Sequence, residues 1–174
     1  MIALRTAALI VMASVHAVAA GLTYTAPKAW VASGPATSMR VAEFMLPRAP
    51  GDTMDGELVI YYFGGSGGTI DANIERWLGQ MQQPDGTPSG RAAKRDTRSV
   101  NGLPVTIVDV SGTYVAEVTP GAPERHNRPN YRMIAAVVQT PDGPYFIKLT
   151  GPVRTVTVWD TSFDQFLSTV RHRP

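Results

Sequence analysis

Glu57-Leu58-Val59-Ile60-Tyr61-Tyr62-Phe63-Gly64-Gly65-Ser66-Gly67-Gly68-Thr69-Ile70 is the stretch that decides the fold. Its first seven residues are rich in β-branched and aromatic side chains and apolar on both alternating faces. That pattern marks a central strand covered on both sides. The glycine-rich run breaks the strand, and Thr69 or Asp71 can cap the helix after it, because either side chain accepts from an orphan backbone N–H. Ile70, Ile74, Trp77, Leu78 and Met81 then recur at helical spacing and make one apolar face. A strand, a glycine turn and an amphipathic helix are thus expected in succession.

Working outward, Leu22 to Thr25 and Met39 to Leu46 are strand candidates stopped by Pro27 and Pro47. Downstream, Gln82 to Gly90 reads as loop. Arg95 to Val100 and Leu103 to Val110 flank Asn101-Gly102, the dipeptide that supplies two positive-φ residues to a tight hairpin. Tyr114 to Asn130 reads as a long loop. Tyr131 to Thr140 and Pro144 to Thr150 form a second hairpin around Pro141-Asp142-Gly143. Gly151-Pro152 starts a short helical segment, and Ser162 can cap a final helix that buries Phe163, Phe166, Leu167 and Val170. The expected order is β-β-β-α-β-β-β-β-α-α. Hairpin connections imply one mainly antiparallel, twisted sheet, and the doubly apolar strands imply helices on both faces: an α+β protein built as an α/β/α sandwich.

The chain has 174 residues, a formal net charge of +2 and no cysteine. The length fits one domain. The charge is too small for a nucleic-acid partner or a polybasic membrane contact. Without cysteine there are no disulfides, no thiol catalysis and no Cys-based metal centres. At the N-terminus, Arg5, the apolar run Ala7 to Val15 and the small residues Ala17 to Ala20 match the pattern of a secretory signal peptide. The run is shorter than the roughly 20 residues a membrane-spanning helix needs. Residues 1–20 are therefore expected to be a signal peptide and 21–174 the single mature domain, periplasmic or secreted.

Several segments carry a resemblance. Leu22-Thr23-Tyr24-Thr25-Ala26-Pro27-Lys28-Ala29-Trp30 looks like the entry of the PsbP-like superfamily. Asn73-Ile74-Glu75-Arg76-Trp77, Val108 to Tyr114, Asn130-Tyr131-Arg132-Met133 and Gly143 to Pro152 resemble a group of exported bacterial proteins within it. The resemblance implies a PsbP-like sandwich and a binding or accessory role, and it transfers no functional residues.

Residue chemistry marks the candidate sites. A glycine-rich strand-to-helix turn can aim backbone N–H groups at an anion, which makes Gly65, Ser66, Gly67, Gly68 and Thr69 anion-binding candidates, although the Lys of a phosphate loop is absent. Gly64 to Gly68 also matches the letters of a nucleophile elbow, so a small exported serine hydrolase using Ser66 is the enzymatic alternative, with His126 or His172 as base. The exposed segment Glu124, Arg125, His126 and Arg128 is the candidate partner-contact surface. Arg91, Lys94, Arg95 and Arg98 read as a charged strand edge. Asp109, if buried, needs a cation, and Arg132 and Lys148 are the nearest strand cations. The expectation is a non-catalytic binding or accessory module without cofactor or metal, whose partner is another envelope protein or a small ligand. A structural envelope component is the third reading.

Overall fold

The computed structural model describes residues 15–19, 21–34, 37–65 and 67–173, with side chains from residue 21 onward. In chain order the elements are β1 (Val15–Ala19), β2 (Leu22–Ala26), β3 (Val31–Ser33), β4 (Arg40–Leu46), β5 (Gly56–Tyr62), α1 (Ile70–Leu78) and β6 (Met81–Gln82). They continue with α2 (Ser89–Ala92), β7 (Lys94–Val100), β8 (Leu103–Tyr114), β9 (Arg128–Thr140), β10 (Gly143–Pro152), α3 (Val153–Thr169) and β11 (Arg171–His172). Most of the expected leader, residues 1–14 and Ala20, lies outside the described residues. The backbone of β1 pairs antiparallel with β2 along its whole length.

Among the described residues, the main sheet runs β3-β4-β5-β10-β9-β8-β6, and β7 also pairs with β8. Every pairing in it is antiparallel. A smaller sheet, β1-β2-β11, stands beside it. The expected α+β sandwich with a helix on each face is what forms. One face packs Leu58, Ile60, Ile134, Ala136, Tyr145, Ile147 and Leu149 against Val156, Phe163, Phe166 and Leu167 of α3. The other packs Val108, Val110, Met133, Val137 and Phe146 against Ile74, Trp77 and Leu78 of α1. Alternate residues of each central strand therefore serve two cores, as its doubly apolar sequence requires.

Two sequence expectations are corrected. The final helix does not begin at Ser162: α3 is one helix of 17 residues. Thr155 and Val156, poor helix formers, are fully buried there, so packing overrides propensity. Strands β8 and β9 extend into the expected long loop, which shrinks to residues 115–127 and folds back on itself. There the Val118 N–H donates to the Glu124 carbonyl and the His126 N–H to the Ala116 carbonyl. At the C-terminus His172 belongs to β11, and its Nε2 lies 2.7 Å from Asp142 Oδ2.

The strand charges are placed as structural chemistry demands. Asp109 takes two hydrogen bonds from Arg132, at 2.8 and 2.7 Å, and Asp160 of α3 takes two more, at 2.9 and 3.3 Å. Bonding to these carboxylates raises the Arg132 pKa. The network ties α3 to the sheet. Arg132→Met strands two carboxylates side by side and is expected to cost about 2 kcal/mol, at the low end because Asp160 stays water-accessible. A urea titration of the variant measures it. On β7, a strand paired only with β8 among the described residues, Arg95 reaches Asp71 of α1 and Arg98 reaches Asp164 of α3. The charged edge therefore clasps both helices.

Candidate functional site

The helix α1 has nine residues, so it spans about 13 Å, whereas β10 has ten residues and runs about 34 Å. The helix therefore covers only part of its face. Thr69 is the cap in use, its Oγ1 accepting from the Ala72 N–H at 3.2 Å, and the helix stops at Gly79. Beyond that end α1 no longer covers the sheet.

The open half is polar and aromatic. The register sets Glu57 opposite Thr150, Lys148 opposite Val59, Glu43 opposite Val59 and Met45 opposite Glu57. These side chains share the α1 face. Tyr131 and Tyr114 join from β9 and β8, their rings nearly parallel at 5.8 Å, and His126 stacks on Tyr114 at 5.5 Å. A concavity of about 410 Å³ is lined here by Glu43, Met45, Met54, Glu57, Tyr114, Arg128, Tyr131 and Thr150, with Arg48 and Asp55 at its rim.

Its charges are unevenly matched. Arg40 lies between two carboxylates, 2.9 Å from Glu43 and 3.4 Å from Glu57. Burial raises the Glu43 pKa against the pull of Arg40, and the neighbouring Glu57 adds to the rise. Arg48 contacts Asp55 at 3.6 Å. Lys148 instead donates to the neutral Gln80 Oε1 at 2.7 Å and sits 5.6 Å from the Tyr114 ring centre. Burial pulls its ammonium down to about 8; Glu57 opposes this, and Arg76 and Arg40 reinforce it. Burial, with Glu57 and Tyr61 nearby, pushes Tyr114 up to about 12.

These shifts make stability depend on pH. Lys148 holds its proton less well in the folded chain than the ordinary 10.5. Between about 8 and 10 the unfolded chain keeps a proton that the folded chain releases, so stability rises with pH, by on the order of 2 kcal/mol. Tyr114 and Tyr145, both held near 12, reverse the slope once unfolded tyrosines ionise above 10.0. Denaturation at a series of pH values is expected to show this maximum, and Lys148→Met to abolish the rise.

The sequence candidates divide. Glu124 and Arg125 are exposed on the arm beyond β8. His126 lies on Tyr114, and Arg128 lies over the Tyr131 ring at 5.8 Å. Half of the expected contact segment thus borders the open face. In the glycine turn, Ser66 lies outside the described residues. Asn73 Nδ2 donates to the carbonyls of Gly67 and Thr69, and an added Cβ on Gly67 would stand 2.8 Å from the Phe63 ring. Gly65 packs against Gly143 of the neighbouring turn, and Gly68 takes a positive φ. Sequence reading singled out Lys148 but not Glu43, Glu57, Tyr61, Tyr114, Tyr131 or Thr150. Polar residues at period two in an otherwise apolar strand, Lys148 and Thr150 above all, were the available signal.

Among the described residues, no three metal-ligating side chains come together, and no helix is long and apolar enough to cross a membrane. No family model matches the chain, and no curated protein does. Solved structures that share its architecture include the following two. One is PA94 of Pseudomonas aeruginosa, a protein of unknown function described as a candidate regulator. It is 14% identical, with a TM-score of 0.51 over 92% of this chain and 98% of that one. The other is the cyanobacterial PsbP of Synechocystis sp. PCC 6803, 12% identical, with a TM-score of 0.52 over 97% of this chain and 98% of that one. At such identities the likeness is one of fold, and the fold of this chain is PsbP-like.

Proposed function

We propose that this chain is an exported, non-catalytic binding or accessory module that holds an envelope partner or a small ligand on the open half of its sheet. The observation that carries the reading is the concavity beyond the end of α1, where Glu57, Tyr114, Tyr131 and Thr150 converge from four strands, with Lys148 next to it over the Tyr114 ring. An apolar surface with a few convergent polar groups is the usual character of a binding site. The neighbouring structures, a PsbP and a candidate regulator, fit an accessory role. Capture from the envelope fraction tests it. Tyr114→Ala with Arg128→Ala is expected to lower capture at least fivefold, and Glu124→Ser with Arg125→Ser to leave it nearly unchanged. The reverse order would move the contact to the arm.

Export rests on Arg5, the apolar run and the alanines before Gly21. Cleavage near Ala20 removes β1 whole and frees the outer edge of β2. Intact-mass measurement of envelope protein is expected to show a mature chain beginning at Ala20 or Gly21; a chain still beginning at Met1 would refute export by this route.

One observation favours the hydrolase reading. The Asp142 carboxylate holds His172, and the Asp142 carbonyl borders Gly65 of the glycine turn. Ser66, Asp142 and His172 occur in the chain order of an α/β-hydrolase triad. A serine-directed fluorophosphonate decides between the readings. A binding module remains unlabelled; labelling that Ser66→Ala abolishes would establish the enzyme.

A further inference from the structure

We propose that the open half of the sheet binds an amphipathic carboxylate, its acid group on Lys148 and Thr150 and its apolar body along Tyr114, Tyr131, Met45 and Met54. This rests on the reading of that face as the binding surface.

Lys148 carries the inference. An ammonium has three N–H donors, and the bond to Gln80 uses one. Among the described residues no carboxylate lies within ion-pair distance of it. Glu57 acts on it from a distance but forms no ion pair with it, and a mostly buried cation so poorly matched is a costly arrangement that a ligand carboxylate reaching past the Tyr114 ring relieves. Thr150 is the second, independent observation. It lies two residues along the same face and lines the concavity, it is only 7% exposed, and its Oγ1 has no hydrogen-bond partner. Buried hydroxyls are nearly always bonded, so an orphan beside a cavity marks room for one more polar group.

The other charges agree. Arg128 donates to Tyr131 Oη at 3.4 Å and lies over that ring, so both cations on the aromatic wall lack a carboxylate there. Arg40 lies between Glu43 and Glu57 and offsets one of their two charges, and Arg48 contacts Asp55. A cationic ligand would meet Lys148 and Arg128, and a purely apolar one would bury Lys148 further without a partner. Met45 and Met54, each 44% exposed, supply an adaptable apolar rim, as methionines do at permissive binding surfaces. The volume, about 410 Å³, falls within the roughly 300–1,000 Å³ of small-molecule sites.

The required chemistry is a carboxylate at the end of an apolar body, which a free long-chain acid or the C-terminus of a polypeptide both present. Fluorescence titration of the full chain separates them, with cis-parinaric acid and its methyl ester in one arm, and a dansylated tripeptide ending in leucine, as acid and as amide, in the other. One acid is expected to saturate a single site, and its ester or amide to bind about tenfold more weakly. Lys148→Met is expected to cost the acid about tenfold, and Thr150→Val, close in shape and safe for folding, about threefold. Affinity is expected to fall as pH rises from 7 to 9. Glu57 of β5, Arg40 of β4, Arg76 of α1 and Tyr114 of β8 face Lys148, whose own pKa burial lowers into that range. In Lys148→Met the pH dependence is expected to vanish. Failure of both acids to saturate overturns the proposal, as does unchanged acid binding by both variants. An ester or amide that binds as well as its acid but is lost in Tyr114→Ala overturns the carboxylate and keeps the face. Binding indifferent to Tyr114→Ala overturns the face as well.

Discussion

Trp77→Ala is expected to remove about 3–5 kcal/mol of folding free energy, a large share of the roughly 5–15 kcal/mol that holds a typical domain together. Trp77 is 4% exposed at the centre of the buried face of α1, and its ring meets Phe146 edge-on at 5.8 Å. Phe146 in turn touches Phe63 at 5.5 Å and lies beneath Gly67. The indole therefore wedges a nine-residue helix against the sheet, and a helix so short is not stable on its own. Truncation leaves a cavity that the sheet cannot close, since β9 and β10 are also fixed by α3 on the far side. Chemical denaturation measures the loss, and Trp77→Phe is expected to cost about 1–2 kcal/mol. A loss under about 1 kcal/mol for the alanine variant would mean that α1 is not held by this ring.

Gly143→Ala is expected to cost about 3 kcal/mol, by two additive mechanisms. Gly143 has a φ of +119°, a conformation that side chains rarely adopt, and an added Cβ would stand 2.8 Å from the Cα of Gly65. That neighbour is backbone and cannot swing aside. The β9–β10 turn and the glycine turn before α1 thus pack main chain on main chain. A bulkier turn here would push the start of α1 away from Phe146. Gly121→Ala is the control: Gly121 shares a positive φ but faces open space, so only the conformational cost remains, about 1 kcal/mol. Equal losses in the two variants would show that the close approach of Gly65 carries no weight.

The parts of the fold legible in the sequence were those written in local chemistry. Glu57 to Phe63 declared a two-faced strand, Ile70 onward an amphipathic helix and Asn101-Gly102 a hairpin, and Asn101 does take a φ of 49°. The short strands β3, β6 and β11 were not legible, because two or three residues hold no period and exist only where a partner strand offers hydrogen bonds. The path of α3 through Thr155 and Val156 was hidden for the same reason. Their helicity comes from burial against the sheet, and Thr155 is further held by Asp52, which accepts from both its N–H and its hydroxyl.

The open face was legible only in fragments. Lys148 stood out as a charge in an apolar strand. Its neighbours on the face come from β4, β5, β8 and β9, and their convergence depends on pairing registers that no local motif encodes. The arm at Glu124 to Arg128 was identified from composition, but that reading missed that His126 and Arg128 stack on Tyr114 and Tyr131. Where α1 stops decides whether this face is core or surface. The sequence marks that stop only by Gly79, whose N–H closes the helix on the Glu75 carbonyl.

Site-specific photo-crosslinking in living cells tests the binding face most directly. A photoreactive phenylalanine placed at Met45 or Met54 stands on the rim of the concavity, and the same residue at Val158 stands exposed on α3, behind the sheet. Adducts are expected from Met45 and Met54, reduced at least fivefold by Tyr114→Ala, with none from Val158. Adducts from Val158 alone, or adducts from the rim indifferent to Tyr114→Ala, would contradict the assignment of binding to the open half of the sheet.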